Sequence, residues 1–287
     1  MEIIDGKKIS EQLNLELKNK LNALQKKIEI KLVVILIGDS PASGLYVKNK
    51  EKKASEVGIN SKVVRKGSQI SEKNLIELIE RYNQDDDIDG ILVQLPLPDH
   101  IDSKTVIDKI DPLKDVDGFS AINMGLLALG RPNIIPCTPL GCFKLLETFQ
   151  NVEGKDVIII GRSNIVGKPL AYLLTNKNAT VTLAHSKTKN LKEKTSRYDI
   201  IISAVGIPNL VEGSWIKENS TVIDVGINYV TNTQGKKQLV GDVDFESVKD
   251  KAKYITPVPG GIGPMTIHGL LNNTFQLALK RRNINSF

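Results

Sequence analysis

Short runs of branched apolar residues alternate along this chain with stretches of helical periodicity, and that alternation most narrows what it can fold into. LVVILI (32–37) is apolar from end to end. Such a run suits an inner strand of a parallel sheet, whose two faces are both covered by helices. In the first half, helices are predicted over 10–27, 44–57 and about 72–84, with strands at 32–37, 61–66 and GILVQL (90–95). A short helix is expected after Asp102, within a stretch rich in proline and glycine that runs from Pro96 to Pro139. The second half alternates more regularly: strands at DVIIIG (156–161), ATVTLA (179–184), DIIISAVG (199–206), TVIDVG (221–226) and YITPVPG (254–260), with helices at 168–176 and about 266–282. The fold class is therefore α/β with parallel sheets.

A length of 287 residues, at roughly 150 residues per domain, implies about two domains. The domain change is placed near residue 120, and the last helix is free to pack back on the first domain. The net charge of +6 suits an anionic small molecule as well as nucleic acid. The basic residues are scattered, as in Lys48 to Lys53, and aromatic residues make up only 5%, which leaves no stacking platform for bases. No nucleic-acid partner is expected. Cys137 and Cys142 have the spacing of neither a zinc motif nor a disulfide framework, so reduced thiols, no metal and a cytoplasmic setting are expected. The N-terminus lacks a basic region leading into an apolar one, and the apolar runs are too short to cross a bilayer. A soluble, unprocessed chain with no membrane partner is expected.

Gly161-Arg162-Ser163-Asn164-Ile165-Val166-Gly167 falls between a predicted strand and a predicted helix, where doubly wound sheets bind dinucleotides. Ser163 occupies the second glycine position of the G-x-G-x-x-G pattern, so alone the motif is equally a glycine-rich turn. The next strand ends at Ala184, roughly where an acid about 20 residues on would bind the ribose of NAD. His185, Ser186 and Lys187 stand there instead. Hydroxyl and cationic groups would accept the extra phosphate of NADP, with Arg162 as a bidentate partner. His185 itself reads as a solvated loop histidine.

Tyr46 and Lys50 are four residues apart on a predicted helix and share a face. Lys48, Lys52 and Lys53 read as solvated charges; the phenolic neighbour sets Lys50 apart. Gln94 closes the third strand at its C-terminal end, where parallel sheets place ligand sites, and Asp117 follows in KDVDGF (114–119). Each of these residues alone would more often be structural.

Together with IIDGK (3–7), DSPASGLYVKNKEKKASEVGI (39–59), VQLPLPDHID (93–102), KDVDGF (114–119), PCTPLG (136–141), GRSNIVGKP (161–169) and PVPGGIGPMT (257–266), the chain resembles the methylenetetrahydrofolate dehydrogenase/cyclohydrolase family over nearly its whole length. The resemblance implies two α/β domains flanking a cleft. One is a folate-binding catalytic domain (1–119 plus 266–287), and the other is a Rossmann-type NADP-binding domain (120–265). It implies a homodimer that oxidises 5,10-methylenetetrahydrofolate with NADP and hydrolyses the methenyl product to 10-formyltetrahydrofolate. Lys50 matches the catalytic lysine, with Tyr46 and Gln94 as partners. Asp117 matches the folate-binding aspartate, and Pro259, Gly260 and Gly261 begin a further folate segment running to Thr266. Gly161, Arg162, Ser163, Ser186 and Ile227 match cofactor contacts. The chain departs from the family at His268-Gly269, where a short apolar pair is usual. A glycine at a helix start costs about 1 kcal/mol against alanine, so a looser entry to the last helix and a partly exposed His268 are expected.

Two other functions are weighed. A two-domain NADP reductase of a small acid, resembling shikimate dehydrogenase, leaves VQLPLP, KDVDGF and PGGIGPMT unexplained. A non-catalytic folate- or RNA-binding scaffold would not need Tyr46, Lys50, Gln94 and Asp117 together.

Overall fold

A computed structural model describes residues 1–24, 28–231 and 235–284. Along the first part of the chain lie β1 (Glu2–Ile3), α1 (Gly6–Ala23), β2 (Lys31–Ile37), α2 (Pro41–Val57), β3 (Asn60–Lys66), α3 (Glu72–Gln84), β4 (Gly90–Val93), α4 (Ser103–Ile107) and α5 (Ala121–Ala128). Then come α6 (Cys137–Phe149), β5 (Asp156–Ile160), α7 (Gly167–Thr175), β6 (Thr180–Ala184), α8 (Leu191–Thr195), β7 (Ile200–Ser203) and β8 (Thr221–Asp224). The chain continues through β9 (Asn228–Thr231), β10 (Lys237–Val240), α9 (Phe245–Lys249), β11 (Tyr254–Ile255) and α10 (Ile262–Arg281). The last three residues of the helix expected over 10–27 lie outside the described residues.

These elements form two compact units, Gln12–Cys137 with Ile267–Phe287, and Met1–Glu11 with Thr138–Thr266. In the first, a parallel sheet of order β3-β2-β4 is built around the apolar β2. Successive side chains of a strand face opposite ways. Leu32, Val34 and Leu36 accordingly pack with Val47, Ala54 and Val57 of α2 and with Leu270, Leu271 and Phe275 of α10. Val33, Ile35 and Ile37 pack with Leu75, Leu78 and Ile79 of α3 and with Val106. The expected return of the last helix to this unit is thus observed. Arg282 Nη2 anchors its end at 2.8 Å from the fully buried Asp89 carboxylate.

The second unit holds a wholly parallel six-stranded sheet, β1-β11-β8-β7-β5-β6, and an antiparallel β9–β10 hairpin. The bounds of the units differ from the division expected near residue 120. Met1–Glu11 belong with the six-stranded sheet because β1 pairs with β11, and residues 120–137 belong with the three-stranded one. A pairing between chain ends leaves no local signal. Of the strand expected at 254–260 only Tyr254–Ile255 pairs. Pro257 and Pro259 cannot donate to a ladder, and the chain turns there through a cis Val258–Pro259 bond and Gly260 at φ +108°. The last helix begins at Ile262 rather than 266, with Pro264 in its first turn, where a missing N–H costs nothing. Pro139 sits similarly early in α6, a helix the proline-rich sequence concealed.

Candidate active site

Ser40 starts α2 by accepting from Ser43 N, Pro41 takes the first helical position and Gly58, in the left-handed region, ends it. Among the described residues of α2 the buried positions are Val47, Lys50, Ala54 and Val57, so Lys50 occupies a place in the apolar stripe and is only 5% exposed. Its Nζ donates to Gln94 Oε1 at 3.0 Å and lies 4.9 Å from the centroid of the Tyr46 ring. Gln94 follows β4 directly. Its N–H donates to Ile35 O and its Nε2 to Leu95 O, which leaves Oε1 turned to the lysine. Burial pushes the Lys50 ammonium below its ordinary range, while Asp117 and Cys137 oppose that shift. Lys48 and Lys52 are exposed, as expected of solvated charges.

The two aspartates of KDVDGF divide their labour. Asp115 is buried and accepts from Gly118 N (3.0 Å), Ser120 N (2.9 Å) and Asn123 Nδ2 (3.1 Å), so it builds the turn. Asp117 is half-buried. Burial raises its carboxyl above the usual range; Lys50 pulls it back, the Asp115 charge raises it further and a hydrogen bond with Cys137 lowers it. Lys50, Tyr46, Gln94 and Asp117 are thus brought together in one unit. Cys137 joins them without having been singled out: its thiol is buried, donates to Val116 O at 3.3 Å and is held protonated by that burial. Lys114, in the same motif, is buried for another reason. Its Nζ donates to the carbonyls of Tyr82, Asn83 and Asp85, closing the end of α3.

In the other unit, β5 is flanked by β6 on one side and β7 on the other, so the strand order reverses between β5 and β7. Gly161 stands at that reversal with φ +122°. A Cβ there would lie 2.2 Å from Ala204 O, and one on Gly167 would lie 2.0 Å from Gly161 O. Both glycines are therefore demanded by close backbone packing of the strand–turn–helix. Ser163 contributes what a glycine could not: its Oγ accepts from Val166 N (3.1 Å) and Gly167 N (3.4 Å), capping α7. Arg162, Ser163 and Ser186 are exposed around this turn and at the end of β6, and Ile227, just past β8, is 55% exposed. His185 Nδ1 accepts from Lys187 N at 3.2 Å, and His185 N donates to Thr188 Oγ1, so this histidine shapes its own turn.

Pro259 is exposed, Gly260 half-buried and Gly261 buried. The turn they form receives the start of α1. Lys7 N donates to Gly260 O at 2.9 Å, and a Cβ on Gly6 would meet Gly261 O at 2.0 Å. His268 is not partly exposed. It lies buried in the second turn of α10, its Nδ1 2.9 Å from Asn14 Oδ1. Nor does Gly269 loosen a helix entry: a Cβ there would sit 2.7 Å from Cys137 O, so the glycine lets the helix lie against that backbone.

A parallel doubly wound sheet with a glycine turn at its order reversal, together with a second α/β unit bearing a buried lysine–amide pair, defines a two-unit protein of the dinucleotide-binding class. Residues 4–117 match the model of the tetrahydrofolate dehydrogenase/cyclohydrolase catalytic domain, and residues 136–282 match the NAD(P)-binding domain of the same family. The chain is 52% identical to the bifunctional protein FolD of Streptococcus uberis, over 98% of each. It superposes with a TM-score of 0.93 on the bifunctional FolD enzyme of Campylobacter jejuni, at 50% identity over 98% of this chain and 99% of that one. With the Trypanosoma brucei dehydrogenase–cyclohydrolase, solved with NADP cofactor and inhibitor, the TM-score is 0.92 at 37% identity over 97% of each. The chain belongs to the tetrahydrofolate dehydrogenase/cyclohydrolase family.

Proposed function

We propose that this chain oxidises 5,10-methylenetetrahydrofolate to 5,10-methenyltetrahydrofolate with NADP, and then hydrolyses the methenyl product to 10-formyltetrahydrofolate. The observation that carries this is the buried Lys50, hydrogen-bonded to Gln94 and electrostatically coupled to Asp117. Family membership over nearly the whole chain favours this over a small-acid reductase or a non-catalytic scaffold.

Held by Arg162, Ser163, Ser186 and Ile227, NADP would supply the hydride acceptor for oxidation of the methylene carbon. The protein's part in that step is alignment. Gly161 lets the chain turn tightly against Ala204 at the strand reversal, which sets the place of the turn that carries Arg162 and Ser163. Arg162 and Ser186 are exposed there without a carboxylate at the end of β6, which favours the phosphate of NADP over the bare ribose of NAD. Ser163 and Ile227 complete the assignment of cofactor contacts.

Hydrolysis adds water to the methenyl carbon and opens the ring, releasing one proton. Burial already disfavours the ammonium form of Lys50, and a cationic substrate disfavours it further. Neutral Lys50 takes the proton from the attacking water, Gln94 Oε1 holds its Nζ in place, and the Tyr46 ring packs beside it. Asp117 accepts hydrogen bonds from the amino and ring N–H groups of the pterin. Pro259, Gly260 and Gly261 belong to the same assignment of folate contacts.

A homodimer in the cytoplasm belongs to the same proposal; among the described residues no helix is long and apolar enough to cross a membrane. The test is an absorbance assay with methylenetetrahydrofolate and NADP that follows formation and decay of the methenyl product. No NADP-dependent formation of that product would reject the function.

A further inference from the structure

Two buried aspartates lie beyond the glycine turn and belong to neither the lysine site nor the phosphate turn. Asp242 follows β10 and is fully buried, and Asp224 ends β8 at 3% exposure. Asp242 Oδ2 accepts from Val205 N (2.7 Å), Gly206 N (3.2 Å) and Ser203 Oγ (3.3 Å). Its Oδ1 accepts from Ile207 N (3.0 Å) and Asn228 Nδ2 (2.9 Å). Asp224 in turn accepts from Gly226 N, Asp242 N and Val243 N, which holds Asp242 in place. The chain makes room for both carboxylates: a Cβ on Gly226 would stand 2.3 Å from Asp242 Oδ1, and one on Gly241 1.7 Å from Asp224 Oδ2.

Three successive backbone N–H groups converging on one point form a nest, and such nests bind anions. Here the nest at the end of β7 is filled by the protein's own carboxylate, which removes it as a phosphate site. What Asp242 secures is the shape of Val205–Ile207 after β7 and, through Asn228 and by way of Asp224 and Gly226, of the segment carrying Ile227 after β8. A doubly wound sheet binds its dinucleotide across the order reversal, one nucleotide half on each side. The β6 side, with Ser186, receives the adenosine half in the reading proposed above, on which this inference rests. The β7–β8 side is left for the nicotinamide half.

We propose that Asp242 is a positioning residue for the nicotinamide half of the cofactor, acting through the Val205–Ile207 and Ile227–Asn228 backbone without touching the ligand. An amide at this position would turn an NH2 group toward N–H donors and open the nest. Calorimetric titration with NADP and with adenosine 2′,5′-bisphosphate, which carries only the adenosine half, tests this on the whole protein. Asp242→Asn should weaken NADP by about ten- to a hundredfold, the range expected when charge-assisted hydrogen bonds that shape a site are lost. The bisphosphate should bind within about twofold of wild type, since its half of the site lies across the reversal. Retention of NADP affinity would overturn the proposal, and so would parallel loss of both ligands. Should Asp242→Asn fail to fold, Asn228→Ala decides, since it removes a single donor to Oδ1. It should weaken NADP several-fold and spare the bisphosphate, and an unchanged NADP affinity would refute the inference. Wild-type protein that bound neither ligand would instead reject the dinucleotide reading itself.

Discussion

Lys50 Nζ lies 3.0 Å from Gln94 Oε1, tying the middle of α2 to the residue that leaves β4. The two residues meet because β2 lies between β3 and β4 and α2 packs on the face of that sheet. The lysine takes a position in the buried stripe that an apolar residue would otherwise fill. The catalytic role proposed for Lys50 and the stability of this packing are therefore opposed.

Lys50→Met keeps side-chain length and apolar packing but removes the nitrogen. Hydrolysis of methenyltetrahydrofolate should fall by about 10²–10⁴-fold, the usual worth of a positioned acid–base group. A measurable part of the dehydrogenase step should survive. Thermal unfolding should move upward by about 2–4 °C for each kcal/mol of desolvation relieved. Wild-type hydrolysis in this variant would show that Lys50 is not the base.

The pH dependence follows from the direction of the Lys50 shift. Burial lowers its folded-state value below that of the unfolded chain, so the neutral base appears at a lower pH than for a free lysine. Catalysed hydrolysis, corrected for the uncatalysed rate, should rise with pH as Lys50 loses its proton. Lys50→Met should lack that rise. Parallel pH profiles of the two proteins decide the matter.

Asp117→Asn should raise the KM for folate substrates far more than the Kd for NADP, because an amide matches only part of the pterin's donor pattern. Asp115→Asn, by contrast, should lower thermal stability, since its carboxylate holds three donors of the turn. Titrations and melts of both variants separate the roles; equal behaviour would show that the two aspartates are not divided as described.

Arg162→Ala should cost about 1.5–3 kcal/mol of NADP binding, the loss of a charge-assisted contact to the 2′-phosphate. NAD use should change little. Steady-state kinetics with both cofactors provide the ratio, and an unaltered ratio removes Arg162 from the phosphate site.

Gly269→Ala sets helix propensity against packing. Alanine gains about 1 kcal/mol in a helix. Its Cβ would, however, press on Cys137 O from 2.7 Å, and overpacking of this kind costs about 1–3 kcal/mol. A lowered midpoint in thermal melts is expected; a raised one would mean that the backbone yields.

What the sequence determined by itself is whatever repeats over a few residues. The alternation of the main strands and helices, the place of the glycine turn and the shared face of Tyr46 and Lys50 follow from the periods of helix and strand and from turn chemistry, whereas short elements and the proline-bearing α6 do not. The family motifs named the site residues without showing why each one is there. Tertiary structure alone decided which faces meet. It paired β1 with β11 across the chain, assigned the turn to Asp115 and left Asp117 beside Lys50, and brought in Cys137. It buried His268 and gave Gly269 its reason. Burial and close approach depend on partners far along the chain, so no local window contains them.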